Sequence, residues 1–263
     1  MARTVATTRT IASTRNIAAA RTTIGAYRLP IDLIDLGVTH YWDFRTAKLG
    51  TNSRTVADLI GMYGAQFRGT SAIGSLYPTA TYSADLERSN NDFFATSPLI
   101  LQNGMTAISF FGWIKRESTG AIHHMISHWE TSGNQRGARS YITSDTFELA
   151  LSNNGTATTT YTSTETLTDT ASWHFYVMTY DTTNRCVITL DGVNLTTTLT
   201  SGSHPASINS SNISILLGAN VPSATANFFD GLFGISGICV NKALSTSEKT
   251  YLYNLTNKLG GYV

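Results

Sequence analysis

The amino-acid sequence predicts an all-β protein, a two-sheet antiparallel sandwich with a short C-terminal helix and an extended N-terminal arm. Short runs of β-branched and aromatic residues are separated by turn residues at intervals of about 8–12 residues, which is typical of sandwiches. At 263 residues the chain is long enough for one substantial core. A helical signal closes the chain, because Ser245 and Glu248 form a capping-box pair and Gly260 provides a stop.

The first 36 residues are predicted to be an arm without a core of its own. They are rich in arginine and hydroxyl residues and show no helical or strand period. The first acidic residue is Asp32, so residues 1–31 carry five positive charges, whereas the rest of the chain has 13 basic and 17 acidic residues. The basic residues of the arm are Arg3, Arg9, Arg15, Arg21 and Arg28. We expect residues 1–36 to lie extended along a partner polypeptide and residues 37–263 to form the domain.

The stretch from Ser172 to Leu195 is predicted to be a central antiparallel hairpin. Its first half, from Trp173 to Tyr180, is aromatic and β-branched, and a polar turn follows. In the second half apolar and polar residues alternate until Asp191 and Gly192 mark a tight turn. We expect these side chains to be buried between the two sheets: Phe110, Trp113, Trp173, Ile188 and Leu190.

Further strands are predicted on both sides of the hairpin. The run 107–115 has apolar residues on both alternating faces, as expected of a central strand that is covered on both sides. The other predicted strands include 41–44, 125–129, 140–142, 147–151, 213–218 and 232–240. Cys186 and Cys239 lie in apolar strand patterns, so we expect two buried thiols rather than a disulfide.

Several short motifs occur in the order found in one known group of β-sandwiches. They are Tyr41-Trp42-Asp43-Phe44, Asn91-Asp92-Phe93-Phe94, Phe110-Phe111-Gly112-Trp113-Ile114-Lys115, Trp173-His174, Phe229-Asp230-Gly231-Leu232, and Ala243-Leu244-Ser245 with Glu248. Together they resemble the laminin G-type domains of the concanavalin A-like lectin/glucanase superfamily, over about residues 39–256. The resemblance implies a jelly-roll sandwich and a packing role for His174.

The resemblance also bears on catalysis and metal binding. Members that hydrolyse β-glucans carry an E-x-D-x-x-E triplet, which supplies acid and nucleophile, and this sequence has none. Calcium-binding members use loop carboxylates and carbonyls, but the 17 acidic residues here form no evident cluster. Phe233-Gly234-Ile235 stands where the family usually has an acidic residue. We therefore predict no enzyme activity and no cofactor or metal, with a structural calcium ion as the alternative.

Three histidines, His123, His124 and His128, are close neighbours in the sequence. They are consistent with a metal site or with a solvated strand edge. We expect the strand edge, because no other type of metal ligand lies nearby.

In a lectin-like domain, a glycan is expected to bind where exposed aromatic rings stack on the sugar and amides or arginine donate to its hydroxyls. The candidates surround the polar loop 130–139 and are Trp129, Asn134, Arg136 and Tyr141. The alternative for this segment is an ordinary turn beside a core tryptophan.

We expect a non-enzymatic virion structural protein, namely a capsid decoration, head-fibre or tail-attached protein. The domain type is used outside cells, yet the sequence shows no secretory signal and no disulfide framework, and a particle assembled in the host cytoplasm reconciles these facts. Residues 1–36 are expected to bind a capsid or tail protein or sister subunits, and the lectin-like domain on the virion surface to bind host or environmental glycans. The alternatives are a secreted free carbohydrate-binding module or lectin, and then a glycoside hydrolase of the same fold.

The sequence gives no support for a nucleic acid or a membrane as a partner. Only 13% of the residues are charged and the net charge is +1, so no specific nucleic-acid binding is expected. No window approaches the roughly 18 consecutive apolar residues of a membrane-spanning helix.

Overall fold

The computed structural model describes residues 29–44, 54–77, 83–102, 104–221 and 227–262. Within these residues two antiparallel sheets pack against each other, which confirms the predicted all-β sandwich. The predicted arm residues Arg3, Arg9, Arg15, Arg21 and Arg28 lie outside the described residues.

The described residues form three α-helices, α1 (Leu29–Asp35), α2 (Ile73–Leu76) and α3 (Thr246–Gly260). The strands are β1 (His40–Trp42), β2 (Thr55–Val56), β3 (Ala65–Arg68), β4 (Ala84–Leu86), β5 (Phe93–Thr96), β6 (Ala107–Arg116), β7 (His123–Glu130), β8 (Gln135–Thr143), β9 (Thr146–Leu151), β10 (Thr159–Thr166), β11 (His174–Asp181), β12 (Arg185–Leu190), β13 (Val193–Asn194), β14 (Thr197–Ser201), β15 (Leu216–Leu217) and β16 (Gly231–Val240).

One sheet has seven strands in the order β1-β16-β6-β11-β12-β13, with β4 also paired to β16. The predicted central hairpin is β11 and β12, in which Tyr180 lies opposite Cys186 and Tyr176 opposite Leu190. Gly192 in the following turn has a φ of 83°, a conformation that glycine adopts without steric cost. The hairpin prediction is therefore confirmed.

The other sheet has nine strands in the order β14-β10-β9-β8-β7-β15-β5-β3-β2. Alternate residues of its strands face the other sheet and join the core between the sheets, as Phe67 of β3 and Phe94 of β5 do. The residues between them, such as Gln66 and Phe93, lie on the opposite face, which we call the outer face of the nine-stranded sheet.

A second apolar layer covers the seven-stranded sheet on the face opposite to the core between the two sheets. Phe110 and Ile188 lie between the sheets as predicted, whereas Trp113 packs in this second layer with α3. Trp173 is half-buried in the same layer, so the prediction that Trp113 and Trp173 lie between the sheets was wrong. Leu190 is half-buried and packs against the core between the two sheets. The physical reason is that β6 is apolar on both faces and Trp113 has the parity opposite to Phe110.

The last residues of the predicted arm belong to the domain. Residues 29–35 are helix α1 rather than extended chain. Leu33 is fully buried in the second layer, and Leu36 packs against it half-buried. The helix forms here because Leu33 and Leu36, three positions apart, lie on one face of the segment and pack against the second apolar layer. The sequence alone did not indicate that this layer lies beside them.

Two local predictions are confirmed. The hydroxyl of Ser245 accepts from the backbone N–H of Glu248, and the Glu248 carboxylate accepts from the N–H of Ser245, so α3 begins with a capping box. The helix ends at Gly260, where Gly261 provides a left-handed C-cap. Cys186 and Cys239 are both buried free thiols.

Candidate functional site

The predicted glycan-binding residues do not form one exposed surface. Trp129 and Tyr141 are only 2% and 8% exposed, and the guanidinium of Arg139 lies between their rings. The Arg139 carbon is 4.5 Å from the Trp129 ring centroid and 4.8 Å from that of Tyr141. Asn134 is exposed at the end of a short 3-10 turn, and half-buried Arg136 donates to the carbonyl of Thr156. Of the four residues, only Asn134 is freely exposed.

A different part of the outer face of the nine-stranded sheet is open. A groove of about 440 Å³ runs along β3 and β5, and we call it the β3–β5 groove. Its lining residues are Gly64, Gln66, Arg68, Phe93, Ala95, Thr96, Ser97, Pro98 and Ser214. This volume lies within the range of about 300–1,000 Å³ that is usual for ligand pockets.

The groove follows from strand alternation and register. In β3, Ala65 and Phe67 point into the core, so Gln66 and Arg68 point outward. In β5, the outward residues are Phe93 and Ala95. Arg68 lies opposite Phe93, and Gln66 lies opposite Ala95. The small Ala95 side chain keeps the floor of the groove low between larger neighbours.

Of the five polar side chains among the described residues that line the groove, four are available to a ligand. Gln66, Arg68, Ser97 and Ser214 make no side-chain hydrogen bond or ion pair with any other described residue. Thr96 differs, because its hydroxyl accepts from the backbone N–H of Ile215 at 2.9 Å. Free donors and acceptors around an open groove are the groups that a polar ligand needs.

Phe93 supplies the aromatic side chain of the groove. It is half-buried, and its ring lies 5.8 Å, centroid to centroid, from that of Phe228. Phe228 is itself held by Arg88, whose Nε donates to the Phe228 carbonyl at 3.0 Å. A supported ring beside amide, hydroxyl and guanidinium groups can stack on the C–H face of a sugar while its hydroxyls are hydrogen-bonded. Phe93 was not among the residues predicted to bind a glycan, although the motif Asn91-Asp92-Phe93-Phe94 predicted a strand there.

Three acidic side chains, Asp85, Glu87 and Glu117, come together at one end of the sandwich, with carboxylate oxygens within 4.8 Å of one another. Burial raises the pKa of each, and neighbouring carboxylates raise it further. Asp85 Oδ1 is buried and has no hydrogen-bond partner among the described residues. This corrects the expectation that the acidic residues form no cluster. The three come from β4, the turn after it and the residue after β6, and oxygen ligands of this kind suit calcium.

Glu87→Gln is expected to stabilise the protein at neutral pH by on the order of 0.5–1 kcal/mol, because it removes one of the repelling charges. A carboxyl group whose pKa is raised by folding stabilises below its unfolded pKa, and this contribution is lost as the pH rises through the folded pKa. The gain should therefore vanish below about pH 4, where the carboxyl groups are protonated. Thermal unfolding at the two pH values checks this.

Glu130→Gln outside the cluster is the matched control and should change little. If Glu87→Gln and Glu130→Gln changed the unfolding temperature equally at neutral pH, charge repulsion within the cluster would be contradicted. Calcium added in the same assay should stabilise the wild type more than Glu87→Gln if the cluster holds a cation.

The three neighbouring histidines are not at a solvated edge. His123, His124 and His128 are at most 2% exposed, because β7 lies inside the nine-stranded sheet between β8 and β15. Burial lowers the pKa of His123 and His128 to about 4. Among the described residues they do not gather into a group that could hold a metal ion.

His174 has a polar role rather than only the predicted packing role. Its Nδ1 is 2.7 Å from Asp191 Oδ2, and its Nε2 is 3.3 Å from Asp169 Oδ2. The hydrogen bond to Asp191 raises the pKa of His174. Asp191 also accepts from the backbone N–H of Phe175, so the histidine and two carboxylates clamp the end of the central hairpin.

This clamp predicts a pH-dependent contribution to stability. Because folding raises the pKa of His174, its contribution is fully present below the unfolded pKa of about 6.5 and is lost as the pH rises through the folded pKa. Between about pH 6 and 8 the wild type should lose more stability than His174→Gln. Urea unfolding of both proteins across this range checks the prediction, and parallel pH profiles would contradict it.

None of the helices in the described residues is both long and apolar enough to span a lipid bilayer.

Comparison with known proteins agrees with this architecture. The family described as the concanavalin A-like lectin/glucanases superfamily matches residues 88–248. No curated protein matches the sequence. A similar solved structure is the binding domain of botulinum neurotoxin serotype D/C, 16% identical with a TM-score of 0.58, covering 85% of this chain and 53% of that chain.

Two further similar structures are complexes of the botulinum neurotoxin DC binding domain. The complex with SialylT is 15% identical with a TM-score of 0.57, covering 84% of this chain and 52% of that chain. The complex with rat synaptotagmin II is 16% identical with a TM-score of 0.54, covering 77% and 49%. The chain spans about half the length of these structures, and at these identities the likeness shows the fold alone.

Proposed function

Because the chain belongs to the concanavalin A-like lectin/glucanase superfamily, we propose that it binds glycans without cleaving them, and that it does so in the β3–β5 groove. The observation that carries the proposal is the set of polar side chains beside Phe93 that form no side-chain hydrogen bond or ion pair with the rest of the described chain, namely Gln66, Arg68, Ser97 and Ser214. An aromatic ring with free amide, hydroxyl and guanidinium groups matches the mixed apolar and polar surface of a sugar.

The absence of acidic residues from the groove lining supports binding rather than hydrolysis. Glycoside hydrolysis usually needs two carboxyl groups that flank the bond to be cleaved. None of the described residues that line the groove is acidic. Purified protein is therefore expected to leave β-glucans uncut.

Phe93→Ala tests the groove directly. On a glycan array followed by calorimetry with the ligands found, the substitution should weaken binding about tenfold or more, because the stacking surface is lost. Tyr251→Ala is the matched control, since Tyr251 is an exposed aromatic residue on α3, beside the other sheet. Unchanged binding by Phe93→Ala, or no binding by the wild type to any glycan, would contradict the proposal.

We also propose that the domain is displayed on a virion, where residues before α1 attach it to a capsid or tail protein or to sister subunits. The support is the sequence of residues 1–28, which contains five arginines and no acidic residue. Such a segment has little apolar surface of its own to offset its ordering entropy and suits a partner that supplies carboxylates or carbonyls.

Deletion of residues 2–28 tests this attachment while leaving α1 in place. The truncated protein is expected to keep the unfolding temperature of the full chain and to be lost from assembled particles. Normal incorporation of the truncated protein into particles would refute the anchoring role.

A further inference from the structure

We infer that the β3–β5 groove selects glycans that carry an oxyanion, a carboxylate or a sulfate, and that Arg68 is the residue that recognises it. This inference rests on the proposed function and names the class of ligand for the same groove.

The placement of Arg68 suits recognition of a substituent on a stacked sugar. Arg68 lies directly opposite Phe93 on the neighbouring strand, and both side chains are on the outer face. Residues paired in this way have Cβ atoms about 4.5–5.5 Å apart. Gln66, on the same face two residues along β3, lies about 7 Å further. A sugar ring on Phe93 therefore has a guanidinium on one side and an amide within reach.

Arg68 differs from Arg88, Arg116 and Arg139 in that its donors make no contact with the other residues that the structure describes. Its side chain is exposed and makes no hydrogen bond or ion pair with another described residue. Arg116 pairs with Asp145, Arg139 donates to Asn220 between two aromatic rings, and Arg88 donates to two backbone carbonyls. These three arginines hold the fold together, whereas Arg68 has no such task.

The carboxylate nearest in sequence to Phe93 is already engaged. Asp92 is fully buried, and it accepts from both the backbone N–H and the hydroxyl of Ser71 and from the N–H of Glu87. It is therefore turned away from the outer face and does not neutralise Arg68 by contact. The groove presents one positive charge and no negative charge from the described residues that line it.

A guanidinium is the side chain best matched to a planar carboxylate or to two oxygens of a sulfate, because it can donate two parallel hydrogen bonds. A charge-assisted contact of this kind adds to the stacking and hydroxyl contacts that a neutral sugar would make. Selection then means that the acidic glycan binds more tightly than its neutral parent.

The test compares matched glycans with the full-length protein. A glycan array carries sialylated, uronic-acid and sulfated glycans beside the neutral glycans from which they derive. The binding of the wild type and of Arg68→Gln to each pair is measured. We expect the acidic members to bind about tenfold more tightly than the neutral parents, and Arg68→Gln to remove that difference, so that the acidic and neutral members of each pair bind alike. Raising the salt concentration should weaken only the acidic members, since Arg68 is exposed.

Arg54→Gln is the control, because it removes the same charge beside β2 without touching the groove lining. Thermal unfolding should show that both variants are folded. For Arg68→Gln this is expected because β3 already carries a glutamine, Gln66, at its other outward position. Binding confined to sulfated or to carboxylated glycans would support the inference and identify the group. Equal binding of neutral and acidic glycans, or acidic binding that survives Arg68→Gln, would overturn it and leave the proposed function standing. No binding to any glycan would refute the proposed function itself.

Discussion

Trp113→Ala is expected to destabilise the protein by about 3–5 kcal/mol, the usual cost of removing a large buried aromatic side chain. Trp113 is fully buried in the layer between the seven-stranded sheet and α3. Its ring centroid lies 4.7 Å from that of Tyr262 and 5.4 Å from that of Tyr253. Its indole N–H donates to the buried Thr256 hydroxyl at 2.8 Å. The substitution leaves a cavity and also removes a hydrogen bond, so both terms act in one direction.

Chemical denaturation of the wild type and the variant measures this loss. Trp173→Ala is the control, because Trp173 packs in the same layer but is only half-buried. It should cost clearly less, about 1–2 kcal/mol. An equal or larger loss for Trp173→Ala would contradict the assignment of Trp113 to the centre of this layer.

Asp145→Asn should destabilise the protein by about 3 kcal/mol, because it leaves a buried cation without its counter-ion. Arg116 is 1% exposed, and its Nη1 donates to Asp145 Oδ1 at 2.8 Å. The same carboxylate oxygen accepts from the backbone N–H of Gly120 at 2.9 Å. Asp145 has a φ of 68°, which asparagine tolerates well, so the substitution tests charge rather than backbone strain.

A double-mutant cycle separates the charge from the packing. Arg116→Met removes the buried cation, and in that background Asp145→Asn should cost much less than it does in the wild type. Asp35→Asn, at an exposed position of α1, is the control and should change little. If the two substitutions simply add, the ion pair is not what makes Asp145 important.

Features that depend on nearby residues could be predicted from the sequence. The β11–β12 hairpin was found because alternation, a polar turn and a glycine turn are local signals. The start of α3 was found because its capping box lies within four consecutive residues. The order of the family motifs extended these local signals to the whole sandwich.

Contacts between distant segments were decided only by the tertiary structure. Alternation shows that a strand has two faces, but not which layer covers each face, so Trp113 was expected between the sheets and lies under α3. The position of a strand within its sheet is also a long-range property, which is why the three histidines of β7 are buried instead of at an edge.

The same reason applies to the candidate site. Trp129 and Tyr141 have the composition of a sugar platform, but packing closes their rings around Arg139. The sequence by itself determined a lectin-like sandwich and its central hairpin. Only the tertiary structure decided that Phe93 and Arg68, 25 positions apart, lie opposite each other on an open face. Strand pairing brings together residues whose separation along the chain carries no signal of their contact.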